Sequence, residues 1–370
     1  MIAALDELRT ALFRTVLRFP RAAVFVTRRE ARLGLRAGAA IAGALVLSIV
    51  APAAMLAISP AIFGVPHIAA ATRYLVLRQK LSRAFLASVL IACVGLAGAR
   101  IYEQCGALPA VTAARVEIAL AITWGLFAVA HATWSSRAFR RGAAALLLVG
   151  LLSGLCLRHP VAARLAFVHL HNLGAVVLWI VLFRKRASFP RVTVALLAFA
   201  LVVLLSGLTL PLTEAMGGMR GLGVDVAVVG AWLAPGAPAA VAAALVFAHA
   251  FTDSVHYAFW LGVVPEETLR GEGTLSFRMT LRGLVKDFGA VGLALVTLAA
   301  ALVLGASLFN AAGARSVYFA VAGFHGYIEG IMLLYLGVRG RVELGRELDP
   351  RPVAMDRRRA AHASVNPALS

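Results

Sequence analysis

The chain has 370 residues, of which 61% are hydrophobic and 14% charged, and its mean hydropathy of +0.87 excludes an ordinary soluble domain with one polar face on each helix. The net charge of +19 is gathered in the N-terminal 36 residues, alternate connections and the C-terminal tail, which is the positive-inside pattern of a polytopic membrane protein. No nucleic-acid partner is expected, because no soluble stretch is long enough to build a folded basic surface. The three cysteines, Cys93, Cys105 and Cys156, have no metal, haem-attachment or disulfide spacing and read as small apolar fillers.

Residues 1–35 interleave Arg9, Arg14, Arg18, Arg21, Arg28, Arg29 and Arg32 with Leu8, Leu12, Phe13, Val16 and Leu17. That spacing predicts a basic amphipathic helix lying on the anionic lipids of the cytoplasmic leaflet. No short apolar core with a small-residue cleavage site follows the charges, so a signal peptide is not expected. Apolar segments then run at about 36–60, 62–78, 84–100, 116–134, 142–157, 161–183, 192–212, 238–262, 288–309 and 315–337. The fold class is therefore all-α, a polytopic transmembrane bundle of about ten segments.

The connections 78–83, 137–141, 184–191 and 270–286 are basic, whereas 101–115, 158–160, 213–237 and 310–314 are poorer in charge. This alternation predicts a protein of the inner, cytoplasmic membrane with both termini inside. Segment 62–78 is short, almost without a preceding loop, and reads either as a span or as a re-entrant piece. The outer connection 213–237 carries Gly217, Gly218, Gly221, Gly223 and Pro235 and reads as a lid. The inner one carries Glu266, Glu267, Arg270, Glu272, Arg278 and Arg282. With no internal repeat, 36–338 forms one transmembrane domain between the segment 1–35 and a basic tail, 339–370, that includes His362.

Seven of the nine histidines fall inside apolar segments: His67, His131, His169, His171, His249, His256 and His325. Ionisable groups at membrane depth persist where they meet a partner or a cavity, so the group reads as a metal or haem site between helices. At about 1.5 Å of rise per residue, His67, His169, His171, His249 and His325 form one layer, and His131 and His256 lie nearer the cytoplasm. His249, Asp253, His256 and Trp260 share a helical face, with Tyr257 beside His256. The axial separation of His249 and His256, about 10 Å at that rise, keeps one ion from taking both. Asp253 and, at i+4 from His325, Glu329 read as carboxylates that orient an imidazole or ligate directly; helix–helix hydrogen bonding is the plainer alternative. His169 and His171 lie about 200° apart on a regular helix, so only one is expected to face inward, with Asn172 nearer His169. Gly323 and Gly326 allow close approach of a ligand or a helix. His131 beside Trp134 reads equally as an interface histidine, and His159 as a loop residue.

Gly64-Val65-Pro66-His67 resembles the Gly-x-Pro-His motif that opens the Brp/Blh-type β-carotene dioxygenases, and His249 with His256-Tyr-Ala-Phe-Trp260 is similar to that family's late histidine and aromatic motif. The family motif continues with glycine and then aspartate, where this chain has Ile68 and Ala71. The resemblance implies a polytopic enzyme with a non-haem iron centre, held by His67 and one or more of His249, His256 and His325, that acts on a carotenoid-like molecule.

The metal-ligand candidates are thus His67, His171, His249, His256 and His325, with Asp253, Glu329, Asn172 and Tyr257 supporting them and His169 and His131 less central. Three functions fit: a non-haem iron oxygenase acting on a lipophilic small molecule reached from the bilayer; a haem b electron-transfer subunit with axial histidine pairs; and a transporter or assembly subunit, docked on a membrane partner, whose histidines relay protons or join helices.

Overall fold

The computed structural model describes residues 2–183, 190–269 and 274–340 and is helical almost throughout. In chain order the helices are α1 Ile2–Leu17, α2 Pro20–Thr27, α3 Arg29–Val50, α4 Pro52–Leu77, α5 Arg83–Gln104, α6 Ala110–Ser136, α7 Phe139–Arg158, α8 Pro160–Leu170 and α9 Gly174–Phe183. They continue with α10 Pro190–Leu205, α11 Leu210–Ala215, α12 Val226–Leu233, α13 Ala239–Glu267, α14 Phe277–Phe309 and α15 Ala311–Arg339. A two-residue antiparallel ladder, β1 Arg220–Gly221 with β2 Val224–Asp225, sits between α11 and α12.

Local chemistry explains the punctuation. Proline opens α2, α4, α8 and α10, where its missing N–H costs nothing. Ser82, Ser276 and Asn310 cap α5, α14 and α15 through side-chain oxygens that accept from Phe85, Met279 and Gly313 amides. Asp225 caps α12 from outside the spans, and the Ala227 amide and Arg220 guanidinium hold its carboxyl below the usual range.

Eight helices among the described residues are long and apolar enough to cross a membrane, and the bent pair α8–α9, turned through 54°, makes a ninth. The expected count of about ten is not reached: the remaining apolar segment, α10, has 16 residues, short of the roughly 20 that span hydrocarbon. The boundary expected near residue 61 also moves. α3 ends at Val50 because Pro52 cannot continue it, so α4 starts ten residues before the expected 62 and is a full 26-residue helix. Pro60 does not end α4; the chain absorbs its missing donor in a π turn over Pro60–Gly64.

Within lipid, helices associate by close packing and polar contacts rather than by a hydrophobic driving force. α13 is the centre, with 72% of its apolar window buried, whereas α14 has 0% buried and is the lipid-facing edge. Small residues bring helices together where α12 meets α13: a β-carbon on Gly230 would stand 3.1 Å from Ala242 Cβ. Gly289, at φ +71°, breaks α14 with a backbone conformation that costs glycine little.

Ion pairs tie one end of the bundle. Arg32 reaches Glu266 at 2.7 Å, Arg36 reaches it at 3.0 Å, and Arg73 and Arg78 converge on Asp287 at 2.7 and 2.8 Å. Arg32, expected on the lipid surface, is 5% exposed, because Glu266 is buried and demands a partner. Arg9 bonds Thr274, so α1 lies against the start of α14. At the opposite end Thr213 donates to Ile49 O at 2.7 Å and Arg164 meets Glu103 at 2.6 Å. Residues 184–189, Arg270, Glu272 and the tail from 341, His362 included, lie outside the described residues.

Candidate metal centre

Three helices bring histidines to one level. His67 lies fifteen residues into α4, His256 seventeen into α13 and His325 fourteen into α15. The expected layering is corrected accordingly: the earlier start of α4 puts His67 at depth, and His256 joins His325 rather than lying below it. π turns flank the site, at Pro60–Gly64 before His67 and Phe259–Val263 after His256, a distortion common where side chains are aimed at a site.

One ring nitrogen from each of His67, His256 and His325 lies within 4.8 Å of the other two, and all three residues are buried. His325 Nε2 stands 3.0 Å from that of His67 and 3.4 Å from that of His256. Glu329 Oε1 stands 2.9 Å from His325 Nε2 and 3.3 Å from His256 Nε2. Glu329, expected to support the imidazoles, touches two of the three, His256 and His325, one helical turn from His325 on the same face.

Backbone carbonyls fix the tautomers. His67 Nδ1 donates to Phe63 O at 3.0 Å and His256 Nδ1 to Asn172 O at 3.2 Å. A carbonyl only accepts, so in the neutral rings the Nε2 atoms carry lone pairs. His325 has one Nε2–H at most and cannot satisfy two lone pairs and a carboxylate oxygen together. Glu329 Oε2 is buried without a hydrogen-bond partner. The cluster is therefore a set of acceptors that a cation or added protons must hold together.

The spacing suits a metal. Donor atoms about 2.1 Å from a common centre stand roughly 3.0 Å apart at right angles and 3.4 Å apart at the tetrahedral angle. The separations of His325 from His67 and His256, 3.0 and 3.4 Å, match both, and Glu329 stands 2.9 and 3.3 Å from two of the three rings. Three imidazoles and one carboxylate form a donor set that suits first-row transition metals such as iron or zinc.

His171 is the cluster's neighbour. Its ring centroid lies 5.6 Å from those of both His256 and His325, and its Nδ1 donates to Phe167 O and Val168 O at 3.2 and 3.1 Å. The expectation that only one of His169 and His171 faces inward is corrected. A 3-10 turn over His171–Leu173 and the bend between α8 and α9 break the regular 100° step, so both point inward. Gly326 makes room for His171: a β-carbon there would meet its ring at 3.1 Å.

His249, a ligand candidate by sequence, lies outside the cluster. Its ring faces His169 at 5.7 Å, and its Nδ1 lies 3.4 Å from Asn172 Nδ2. Two helical turns separate it from His256, as the axial spacing requires. Asn172 therefore serves both histidines, one by its carbonyl and one by its amide. Tyr257 packs its ring 4.3 Å from that of His67. Asp253 lines the same cavity as Tyr257 and Arg315, and among the described residues it makes no ion pair within 4.0 Å with an imidazole. His131 lies outside the three-histidine group, bonded to Ser82 Oγ at 3.0 Å and stacked near Tyr335, with Trp134 81% exposed. His159 is an exposed residue at the junction of α7 and α8.

Sequence reasoning missed a polar network beside the cluster. Buried Glu117 accepts from Tyr327 at 2.8 Å and pairs with Arg100 at 2.7 Å. Arg315 was counted only as a segment boundary. Intramembrane charge was the available signal for both. A cavity of 520 Å³ links this network to the cluster, with His67, His171 and His325 at one end and Arg100, Glu103, Gln104 and Trp232 at the other. Trp232, from α12 in the connection 213–237, lines this cavity. A comparison of the chain with protein-family models, curated proteins and solved structures finds no match.

Proposed function

We propose that this protein is a membrane-embedded non-haem iron oxygenase that acts on a lipophilic small molecule. The observation that carries the reading is the grouping of three buried imidazoles whose ligand atoms lie within 4.8 Å of one another, with Glu329 Oε1 at 2.9 and 3.3 Å from two of them and two of the tautomers set by backbone carbonyls. His67, His256, His325 and Glu329 would hold the ion; when bound, iron with open positions supplies activation of dioxygen. The protein's own contribution is orientation and exclusion of water. Phe63 O and Asn172 O hold the rings, and Tyr257, Phe167 and Phe319 line an apolar approach. The resemblance at Gly64–His67 and His256–Trp260 points the same way. We place the protein in the cytoplasmic membrane, with the ion-paired end and both termini inside.

A haem b site needs two imidazoles on opposite faces of an open plane. Here three imidazoles approach a single point with a carboxylate against two of them, which favours a mononuclear ion. The test is metal analysis and a visible spectrum of the detergent-purified protein. About one iron per chain without a Soret band supports the reading. A Soret band, or folded protein that takes up no metal from solution, would overturn it, the latter in favour of a proton-relaying or assembly role.

A further inference from the structure

The cavity that reaches the cluster has a second chemical feature, unused by the metal reading. Arg315, in the second turn of α15, lines its wall with the guanidinium 4.8 Å from the Phe319 ring centroid. Its Nε is buried without a hydrogen-bond partner, and among the described residues no ion pair within 4.0 Å engages the side chain. The other charges here are matched, Arg100 by Glu117 at 2.7 Å and Glu103 by Arg164 at 2.6 Å. Asp253 acts on Arg315 only from beyond contact distance. An unpaired guanidinium in a low-dielectric cavity is costly, and its planar fork matches a carboxylate.

We infer that Arg315 binds the head of the substrate, and that the substrate is a carboxylate-headed long-chain lipophile whose apolar chain runs toward the histidine cluster. This rests on the reading that the cavity delivers a lipophilic substrate to the cluster. Asp253 in the same wall opposes a second negative charge, which selects a monoanionic carboxylate over a phosphate monoester. Arg315 and His325 are ten residues apart, at most roughly 15 Å of helix rise. The cavity volume of 520 Å³ falls in the range that encloses a small organic ligand.

The test compares binding of a fluorescent polyene C18 carboxylic acid with that of its methyl ester, in nanodiscs, before and after chelator treatment. Wild-type protein is expected to prefer the acid at least tenfold in both states. Arg315→Gln should lower the preference below threefold while leaving metal content unchanged, and Arg315→Lys should restore part of it. Equal binding of acid and ester by the wild type overturns the inference without need of a variant, as does an undiminished preference in Arg315→Gln. A preference that vanishes on chelation assigns the carboxylate to the metal and also overturns it. A preference that persists in protein that never takes up metal supports the inference while defeating the oxygenase reading.

Discussion

Replacing Glu329 with glutamine keeps the side chain's shape and removes one negative charge from the point where three imidazoles converge. Glu329 Oε1 is 2.9 Å from His325 Nε2 and 3.3 Å from His256 Nε2, and the residue is 2% exposed. Two unit charges about 4 Å apart interact by about 4 kcal/mol at an effective dielectric constant near 20, roughly a thousandfold in affinity. The glutamine carbonyl remains a weaker donor, so a loss of at least about 100-fold in divalent-metal affinity is expected, in line with the range for perturbed metal shells. The assay is competition between purified protein and a chelator of known affinity, with size-exclusion elution as the control for folding. Asp253→Asn, a carboxylate on the same cavity but off the cluster, should change affinity less than threefold. Wild-type affinity in Glu329→Gln would refute the placement of Glu329 at the ion. So would an equal loss in Asp253→Asn, which would mean that only the general negative potential of the cavity matters.

Four further outcomes follow from the geometry. His67→Ala, His256→Ala and His325→Ala should each abolish stoichiometric metal by elemental analysis, while His131→Ala and His249→Ala retain it; loss of metal in His249→Ala would contradict its placement with His169. A β-carbon on Gly64 would lie 2.6 Å from the Tyr318 ring, so Gly64→Ala should destabilise the protein by about 1–3 kcal/mol, read as a lowered Tm in detergent. Glu117→Ala leaves Arg100 and Tyr327 without their buried acceptor and should cost about 3–5 kcal/mol; an unchanged Tm would show that water replaces the carboxylate. In a Cys93→Ala, Cys156→Ala background, a membrane-impermeant maleimide added to whole cells should label exposed Cys105, and after Cys105→Ala should fail to label Arg137→Cys.

The helical membrane bundle was legible because uniform apolarity and alternating arginine-rich connections are properties of the chain alone. Boundaries were less so. The run 36–60 contains Pro52 and Pro60, and only the first ends a helix; the second is absorbed in a π turn, a choice made by packing around Gly64 and not by proline itself. His169 and His171 were set against each other by assuming a regular helix, which the 3-10 turn at His171 abolishes.

The count and type of the intramembrane histidines, the i, i+4 pairing of His325 with Glu329 and the impossibility of one ion bridging His249 and His256 all follow from composition and helical spacing. Which histidines meet does not. Three Nε2 atoms from α4, α13 and α15 converge only because three helices start at particular depths and two backbone carbonyls turn the rings. Those are long-range relations, set by how helices pack side by side, and a linear pattern carries no record of the angle or depth at which its neighbours arrive.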